Sequence, residues 1–256
     1  MSTPVTQYGC LQGVPVLVTG GASGIGAELV AGFSAQGARV AFIDIDSNAA
    51  AALCDRVGAK GSRPLFIHAD LSDVTAAQVA VREAAAALGG ISVLVNNAAR
   101  DDRNDPLTIS EAEWDRSLSI NLKPVMFASQ AAIPFLQASG RGAIVNFSSI
   151  AYLLNMGDLP AYGASKAGII GLTKTLAGRL GPLGIRVNAV LPGMIVTERQ
   201  KQLWLTEDGI ADFVATRQCI KRPLLAEDLV GPCLFLASSQ SAAMTAQHII
   251  VDGGVF

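Results

Sequence analysis

The chain has 256 residues, of which 50% are hydrophobic and 16% are charged, and its formal net charge at pH 7 is −2. This composition excludes a disordered chain, and the charge gives no reason to expect nucleic acid or an anionic membrane surface as a partner. The length suits one large α/β domain. There is no apolar run long enough to cross a bilayer and no secretory signal among the first dozen residues. We therefore expect a cytoplasmic protein.

Short segments rich in β-branched residues alternate with longer Ala-rich segments along the chain. Most of the short segments are apolar throughout, as strands buried on both faces are. The predicted strands are Val16–Thr19, Arg39–Asp44, Leu65–Ala69, Val93–Asn96, Ala143–Ser148, Arg186–Leu191 and His248–Val251. Helices are predicted between them, among them Ala27–Gln36, Val74–Leu88, Glu111–Ala138, Ala161–Leu180 and Glu227–Leu236. This alternation predicts one α/β domain over residues 1–256, doubly wound (Rossmann), with a seven-stranded parallel sheet and helices on both faces.

Helix ends and one long interruption are also visible in the sequence. Ser110 and Glu113 have the spacing of a capping box. Gly37, Gly89 and Gly140 directly follow predicted helices, as left-handed C-terminal glycines do. The polar segment 194–222 breaks the strand–helix rhythm after the sixth strand. A long insertion at the carboxyl end of a strand is typical of a substrate lid, which we predict here.

A glycine-rich turn, Thr19–Gly26, follows the first strand and opens a helix. Glycines let a backbone turn approach a pyrophosphate, whose charge is met by the free N–H groups at the helix start. Such a turn alone is weak evidence, but a strand before it and a helix after it indicate a dinucleotide site. A P-loop is disfavoured because no Lys-Ser/Thr pair follows the glycines.

Acidic and small residues at other strand ends fit the same site. Asp44 ends the second strand, where a carboxylate accepts hydrogen bonds from ribose hydroxyls and repels a 2′-phosphate, so NAD is favoured over NADP. Asp70, with Leu71, ends the third strand and could contact adenine or begin the next helix. Asn96–Ala99 closes the fourth strand with side chains small enough to let a cofactor pass.

Tyr162 and Lys166 lie four residues apart at the start of a predicted helix, which places the phenol and the ammonium on one face. A free phenol has a pKa of about 10, too high for a base at neutral pH. A nearby ammonium and a positively charged nicotinamide would favour the phenolate and lower that pKa. A Tyr and a Lys at this spacing occur often by chance. Their position after the fifth strand of a dinucleotide fold, however, makes Tyr162 a candidate general base.

Taken together, these motifs resemble the short-chain dehydrogenase/reductase family over nearly the whole chain. The matching residues are Thr19–Gly26, Asp44, Asp70, Asn96–Ala99, Asn121, Ser149, Tyr162, Lys166, Pro192–Thr197 and Val251–Gly254. The one departure is Ala99, where the family usually has glycine. The resemblance also implies a homotetramer.

The resemblance assigns roles to individual residues. Ser149, rather than Ser148, would hydrogen-bond the substrate oxygen, and Tyr162 would exchange its proton. Lys166 would hold the nicotinamide ribose, and Asn121 would anchor a water that links Lys166 to solvent. The cofactor-binding residues would be Gly20, Ser23, Gly24, Ile25, Gly26, Asp44, Asp70, Leu71, Asn97, Ala98, Tyr162, Lys166, Pro192, Gly193, Ile195 and Thr197.

Two polar stretches indicate the substrate. The charged loop Arg100–Arg103 follows the fourth strand, and the lid begins with the polar and aromatic run 198–204. Such side chains suit a hydroxyl-rich or anionic substrate better than a steroid or acyl chain. The predicted substrate residues are Arg100, Asp102, Arg103, Ser149, Tyr162, Arg199 and Trp204. Both stretches resemble NAD-dependent sugar dehydrogenases of the family, which oxidise the C1 hydroxyl of an aldose to a lactone.

Other interpretations remain open at this point. An acidic or sulfonated sugar could use the cations Arg100, Arg103, Arg199 and Lys201. Another polyol, secondary alcohol or ketone is a further alternative, although a ketoacyl-thioester reductase is disfavoured because Asp44 opposes a phosphorylated cofactor. A cofactor-sensing protein without turnover is disfavoured by the complete set of catalytic residues. We expect no metal site.

Overall fold

A seven-stranded parallel sheet forms the centre of the protein, whose structure is a computed structural model that describes residues 6–256. The strands are β1 (Pro15–Thr19), β2 (Arg39–Asp44), β3 (Leu65–His68), β4 (Val93–Asn96), β5 (Ala143–Phe147), β6 (Arg186–Pro192), β7 (Ile195–Val196), β8 (Leu224–Leu225) and β9 (His248–Val251). The sheet order is β3-β2-β1-β4-β5-β6-β9, and β7 pairs with β8 separately. The strand order reverses between β1 and β4, which is where such folds open a binding crevice. The predicted fold class is confirmed.

Nine α-helices connect the strands in the described part of the chain. They are α1 (Gly24–Ala35), α2 (Ser47–Gly58), α3 (Val74–Leu88), α4 (Glu111–Asn121), α5 (Lys123–Ala138), α6 (Pro160–Leu180), α7 (Glu198–Leu203), α8 (Glu207–Thr216) and α9 (Val230–Ala237). Within residues 6–256, no helix combines the length and apolarity needed to cross a membrane.

Two apolar clusters sandwich the sheet, and this explains why its strands are apolar throughout. Val16 and Val18 of β1 point into the cluster that contains buried residues of α1, α2 and α9. Leu17, between them, points into the cluster under α3, α5 and α6. Because successive side chains of a strand alternate between the two faces, a strand covered on both sides needs apolar residues at every position.

The helix predicted over Glu111–Ala138 is wrong in one respect, because the structure has two helices there. α4 ends at Asn121, and α5 begins at Lys123 after Leu122, whose backbone lies at φ −112° and ψ −48°. Pro124, in the first turn of α5, has no N–H group and would clash with the preceding turn of a continuous helix. The proline therefore begins a new helix instead of continuing the old one.

The predicted capping box and C-terminal glycines are confirmed, whereas the helix predicted over Glu227–Leu236 is a 3-10 turn, Ala226–Leu229, followed by α9. The Ser110 side chain accepts from the Glu113 amide, and the Glu113 carboxylate accepts from the Ser110 amide, which completes the capping box. Gly37, Gly89 and Gly140 have φ values of 74°, 69° and 65°, in the left-handed region that glycine tolerates.

The predicted lid segment, 194–222, has its own secondary structure. It contains β7, α7 and α8, and β7 pairs with β8 just beyond its end, so the two ends of the segment are tied together. Leu205, Ile210 and Val214 form a small apolar cluster with Trp204 packed against it. The segment is therefore a packed unit set beside the carboxyl end of the sheet.

Candidate active site

The glycine turn after β1 is built so tightly that side chains would not fit. Gly20 has φ 64°, and a Cβ atom there would lie 2.7 Å from the Cα of Ala98. A Cβ on Gly26 would lie 1.8 Å from the Gly20 carbonyl oxygen. Gly24, with φ 51°, faces Thr197, whose Cγ2 would lie 3.5 Å from an added Cβ. The turn thus presents bare backbone, as close approach of a pyrophosphate requires.

Asn97 holds this turn through its side chain and its backbone. Its Nδ2 donates to the carbonyl oxygens of Thr19 (3.2 Å) and Gly20 (2.9 Å). The Thr19 hydroxyl accepts from the amides of Asn97 (3.0 Å) and Ala98 (3.2 Å). Asn97 and Ala98 therefore lie against the predicted dinucleotide turn, and the Asn97 side chain acts on the protein backbone there.

The start of α1 leaves donors free for a ligand. Ser23 is the N-cap residue, is exposed, and makes no side-chain hydrogen bond to the helix. The first N–H groups of a helix have no partner within it, and the helix dipole favours an anion at that end. The half-buried Ile25 follows in the first turn. These residues fit the phosphates of a dinucleotide.

Asp44 is fixed beside the glycine turn. Its Oδ2 accepts from the Ala22 amide at 2.9 Å, and its Oδ1 accepts from the amides of Ile45 (2.7 Å) and Asp46 (3.1 Å). The carboxylate is half-buried and keeps unused lone pairs. Its position at the end of β2, against the turn, suits recognition of ribose hydroxyls.

Asp70 and Leu71 follow β3 at the same edge of the sheet. Leu71 is buried, whereas Asp70 is exposed and accepts from the amide and hydroxyl of Ser72, two bonds that lower the pKa of its carboxyl. Asp73, not Asp70, caps the next helix through the amides of Thr75 and Ala76. Asp70 therefore does not cap the helix, but it shapes the turn that leads into it, because the Asp73 amide donates to its carbonyl at 3.2 Å.

The backbone after β6 closes the far side of the crevice. Pro192 ends β6 and is buried, and the Gly193 amide donates to the carbonyl of Val251 at 2.9 Å. Ile195 is buried in β7. Thr197 is the N-cap of α7 and accepts from the Gln200 amide at 3.4 Å. The contact between Gly24 and Thr197 shows that this segment faces the glycine turn.

Tyr162 and Lys166 meet in the first turns of α6. The Lys166 Nζ lies 5.3 Å from the centre of the Tyr162 ring and donates to the carbonyl of Phe147, at the end of β5, at 2.9 Å. Lys166 is only 2% exposed. The predicted pair is therefore brought together, with the ammonium tied to the sheet.

Protein groups move the two pKa values of this pair in opposite directions. Burial raises the pKa of Tyr162 above its ordinary value, Asp101 raises it further, and the hydrogen-bonding Ser149 hydroxyl lowers it. Burial lowers the pKa of Lys166 to about 8, and Asp101 opposes that shift. A lowered pKa was expected for Tyr162 from an ammonium and the charge of the cofactor. The protein's own groups act the other way, because a buried phenolate loses its hydration.

The structure separates the two neighbouring serines after β5. Ser148 is buried, and its hydroxyl donates to the backbone carbonyl of Lys166 at 2.7 Å. Ser149 is half-buried, accepts from the Ala151 amide at 3.1 Å, and lies close enough to Tyr162 for its hydroxyl to lower the pKa of that phenol. Ser149 is thus the serine placed beside the phenol.

Asn121 holds the charged loop rather than pointing into open space. Its Oδ1 accepts from the Arg100 amide at 2.8 Å, and its Nδ2 donates to the Arg100 carbonyl at 3.0 Å and to Ser117. The side chain is 1% exposed, so nearly all of its hydrogen-bonding capacity is used by the protein. It positions the backbone from which the loop 100–103 extends. Its expected water-anchoring role stays a prediction.

The charged loop and the lid helix form a network of ion pairs. Arg100 and Arg199 both approach Asp102, at 3.2 and 3.8 Å. Arg103 pairs with Asp158, and its guanidinium lies 3.9 Å from the centre of the Trp204 ring. The predicted substrate residues of the loop and lid are therefore brought together, with their charges already paired.

Asp101 is the residue of this site that the sequence analysis passed over. It lies in the charged loop, is half-buried, and its Oδ2 is 3.5 Å from the Gln200 Nε2 of α7. Among residues 6–256, it is the charged side chain whose field shifts the pKa of both Tyr162 and Lys166. The charged run Arg100–Arg103 was the available signal, but it did not show which of its members faces the phenol.

The substituted Ala99 fits the loop without strain. Among residues 6–256, Ala246 is the only non-glycine residue with positive φ, so Ala99 does not take the left-handed conformation that would require glycine. Its methyl group is exposed. The departure from the family pattern does not disturb the site.

Comparisons with known proteins agree with this geometry. Residues 20–256 match a family model described as enoyl-(acyl carrier protein) reductase. A protein of Rhizobium meliloti (strain 1021), named "Probable galactose dehydrogenase", is 61% identical over 100% of both chains. The D-xylose 1-dehydrogenase of Caulobacter vibrioides (strain NA1000 / CB15N) is 40% identical over 96% of this chain and 97% of its own.

A solved structure shows the same fold. A variant of a short-chain dehydrogenase/reductase of Serratia marcescens superposes with a TM-score of 0.89 and 33% sequence identity. The match covers 96% of this chain and 99% of the other.

Proposed function

The chain belongs to the short-chain dehydrogenase/reductase family, a family of oxidoreductases, and we propose that it oxidises the C1 hydroxyl of an aldose to the lactone with NAD⁺. The observation that carries the proposal is the Ser149, Tyr162 and Lys166 cluster beside the polar wall of loop 100–103 and α7. Galactose is the first candidate substrate, because the relative named for it matches the full chain.

The cofactor site suits NAD⁺, which supplies a hydride acceptor when bound. The bare glycine turn and the free α1 start would hold the pyrophosphate, and Asp44 would accept from the adenosine ribose hydroxyls. Asp44 would also repel a 2′-phosphate, and neither the turn nor residues 44–48 contain a Lys or Arg that could offset this repulsion. These features support NAD⁺ over NADP⁺.

The proton chemistry belongs to Tyr162. Its phenolate takes the proton of the C1 hydroxyl, while the Ser149 hydroxyl holds the substrate oxygen. The Lys166 ammonium stabilises the phenolate electrostatically. Because burial and Asp101 raise the pKa of Tyr162, we expect oxidation to accelerate toward alkaline pH.

The paired charges of the site favour a neutral sugar over an acidic one. Arg100 and Arg199 share Asp102, and Arg103 pairs with Asp158, so an anionic substrate would compete with a carboxylate for each arginine. The family model's description names an enoyl-(acyl carrier protein) reductase, but the acyl chain of such a substrate would lie poorly against this charged wall. Both considerations support an uncharged, hydroxyl-rich ring.

The test is NADH formation with a panel of aldoses, sugar acids and simple secondary alcohols. We expect turnover with aldoses, lactone as product, and a loss of at least about 10²-fold in Tyr162→Phe, since that variant lacks the proton acceptor. Tyr8→Phe, the same change at a tyrosine packed against the apolar cluster of α1, α2 and α9, checks that losses are specific to the site. Turnover confined to apolar alcohols or to sugar acids would refute the aldose assignment.

We also propose a cytoplasmic homotetramer, the assembly that the family resemblance implies. Phe256, at the end of the chain, is 68% exposed and would be available to pack against another subunit. Sedimentation equilibrium tests this, and a monomer at micromolar concentration would refute it.

A further inference from the structure

Asp101 is held in place from two sides. The backbone of its neighbour Arg100 is bonded at both its amide and its carbonyl by the buried Asn121 side chain. On the other side, Gln200 of α7 reaches the Asp101 carboxylate at 3.5 Å. The carboxylate is therefore held between the end of α4 and α7 of the lid segment.

The Asp101 carboxylate differs from its neighbours because it has no cation. Asp102 contacts two arginines and Asp158 contacts one. Within residues 6–256, no Lys, Arg or His lies within ion-pair distance of Asp101, and the Gln200 amide uses only part of its acceptor capacity. A half-buried carboxylate with unused lone pairs, close to the reacting phenol, is suited to hydroxyl donors.

Two donors in the same wall also lack partners. The Nε of Arg103 and the Nε1 of Trp204 are buried and have no hydrogen-bond partner among the described residues. They are inaccessible to solvent, so the exposed part of the Asp101 carboxylate is the group open to a ligand. Sugar hydroxyls donate hydrogen bonds to such an acceptor, whereas an apolar substrate would leave it without donors, which is costly.

We propose that Asp101 reads the substrate: its carboxylate accepts hydrogen bonds from ring hydroxyls of the sugar and thereby fixes which carbon meets Tyr162. Gln200 orients the carboxylate from α7. This inference rests on the proposed function, since it specifies how an aldose is recognised at that site. Asp101 is a recognition residue, distinct from the proton acceptor Tyr162.

The experiment compares the parent aldose with monodeoxy analogues that each lack one ring hydroxyl other than that on C1. Steady-state kinetics at saturating NAD⁺ are measured for wild type, Asp101→Ala and Asp101→Asn. Asp115→Asn is the matched control, because Asp115 is exposed on α4 and has no ion pair among the described residues. Thermal melting checks that each variant is folded.

We expect Asp101→Ala to lower kcat/KM for the parent sugar about 10- to 100-fold, the size of a hydrogen bond to a charged group. Wild type should discriminate against at least one deoxy analogue by a similar factor, and Asp101→Ala should not, because the partner of that hydroxyl is gone. Asp101→Asn keeps the size of the side chain and should lose a smaller factor. Asp115→Asn should match wild type.

A different pattern would overturn the inference. If Asp101→Ala and Asp101→Asn discriminate against every deoxy analogue as wild type does, Asp101 does not bind a hydroxyl of the substrate. Equal losses for sugars and for a simple secondary alcohol would assign Asp101 only to holding α7. If wild type oxidises aldoses, the proposed function stands whichever of these results the Asp101 variants give. If wild type is inactive on every aldose, both the proposed function and the role of Asp101 are refuted.

Discussion

The burial of the Lys166 ammonium should lower the free energy of unfolding of the protein by a measurable amount. Burial lowers the pKa of Lys166 from 10.5 to about 8, so between these pH values the unfolded chain binds a proton that the folded protein releases. The free energy of unfolding therefore rises with pH across this window, and the full penalty applies below about pH 8. At about 1.4 kcal/mol per pKa unit, the penalty is about 3 kcal/mol.

Replacing Lys166 by methionine removes the charge and keeps an unbranched chain. The variant loses the bond from Nζ to the Phe147 carbonyl, which costs about 1–2 kcal/mol. We expect a net gain in stability of about 1–2 kcal/mol at pH 7, or about 2–8 °C in Tm for a chain of this size. Activity should fall at the same time, because the phenolate of Tyr162 loses its cation.

The assay is urea unfolding of the cofactor-free protein from pH 7 to pH 10, at one protein concentration, because an oligomer's stability depends on it. The advantage of Lys166→Met should shrink as the pH rises. The raised pKa of Tyr162 keeps its phenol protonated in both folded proteins up to pH 10, so the contribution of Tyr162 cancels in the difference. Lys174→Met, on the exposed face of α6, should show no such trend. A variant less stable than wild type at pH 7, or a difference independent of pH, would refute the reasoning.

Three further predictions concern the cofactor turn and the charged loop. Asp44→Ala should raise the ratio of NADP⁺ to NAD⁺ specificity about 10-fold, since one charge-assisted hydrogen bond is lost, and an unchanged kinetic ratio would contradict this. Gly20→Ala places a Cβ 2.7 Å from the Ala98 Cα on a residue with positive φ. It should lower the free energy of unfolding by at least about 1 kcal/mol and weaken NAD⁺ binding, and calorimetry measures both. Asp101→Asn should move the acidic limb of the kcat/KM pH profile to lower pH, because the negative charge that raises the pKa of Tyr162 is gone. A shift to higher pH would count against that electrostatic role.

The fold could be predicted because its signals are local and repeated. Runs of consecutive apolar residues, such as Val93, Leu94 and Val95 of β4, require cover on both faces, and helices between the strands supply it. Glycines at 37, 89 and 140 mark helix ends because few other residues tolerate positive φ. The prediction of one helix over Glu111–Ala138 was wrong because the helical spacing of apolar residues continues across the break. Pro124, the residue that begins the second helix, is nevertheless visible in the sequence.

The cofactor turn and the catalytic pair could be predicted for a different reason. Each lies on a regular element, so that sequence spacing determines which side chains share a face: Tyr162 and Lys166 on α6 are the clearest case. The loop 100–103 has no period, and its four charged residues were indistinguishable in the sequence. Only tertiary contacts show that Asp102 and the arginines pair with one another while Asp101 is left without a cation.

The break between α4 and α5 and the position of Asp101 are connected through Asn121. α4 ends at Asn121 because Pro124 begins a new helix, and the Asn121 amide holds the Arg100 backbone from that helix end. Arg100 in turn fixes where Asp101 begins, and Gln200 meets it from the lid segment. The polar wall therefore depends on where a helix stops as much as on its own charges. The carboxylate that these contacts leave unpaired is open to a substrate, whereas each of the three arginines already contacts a carboxylate before any ligand arrives.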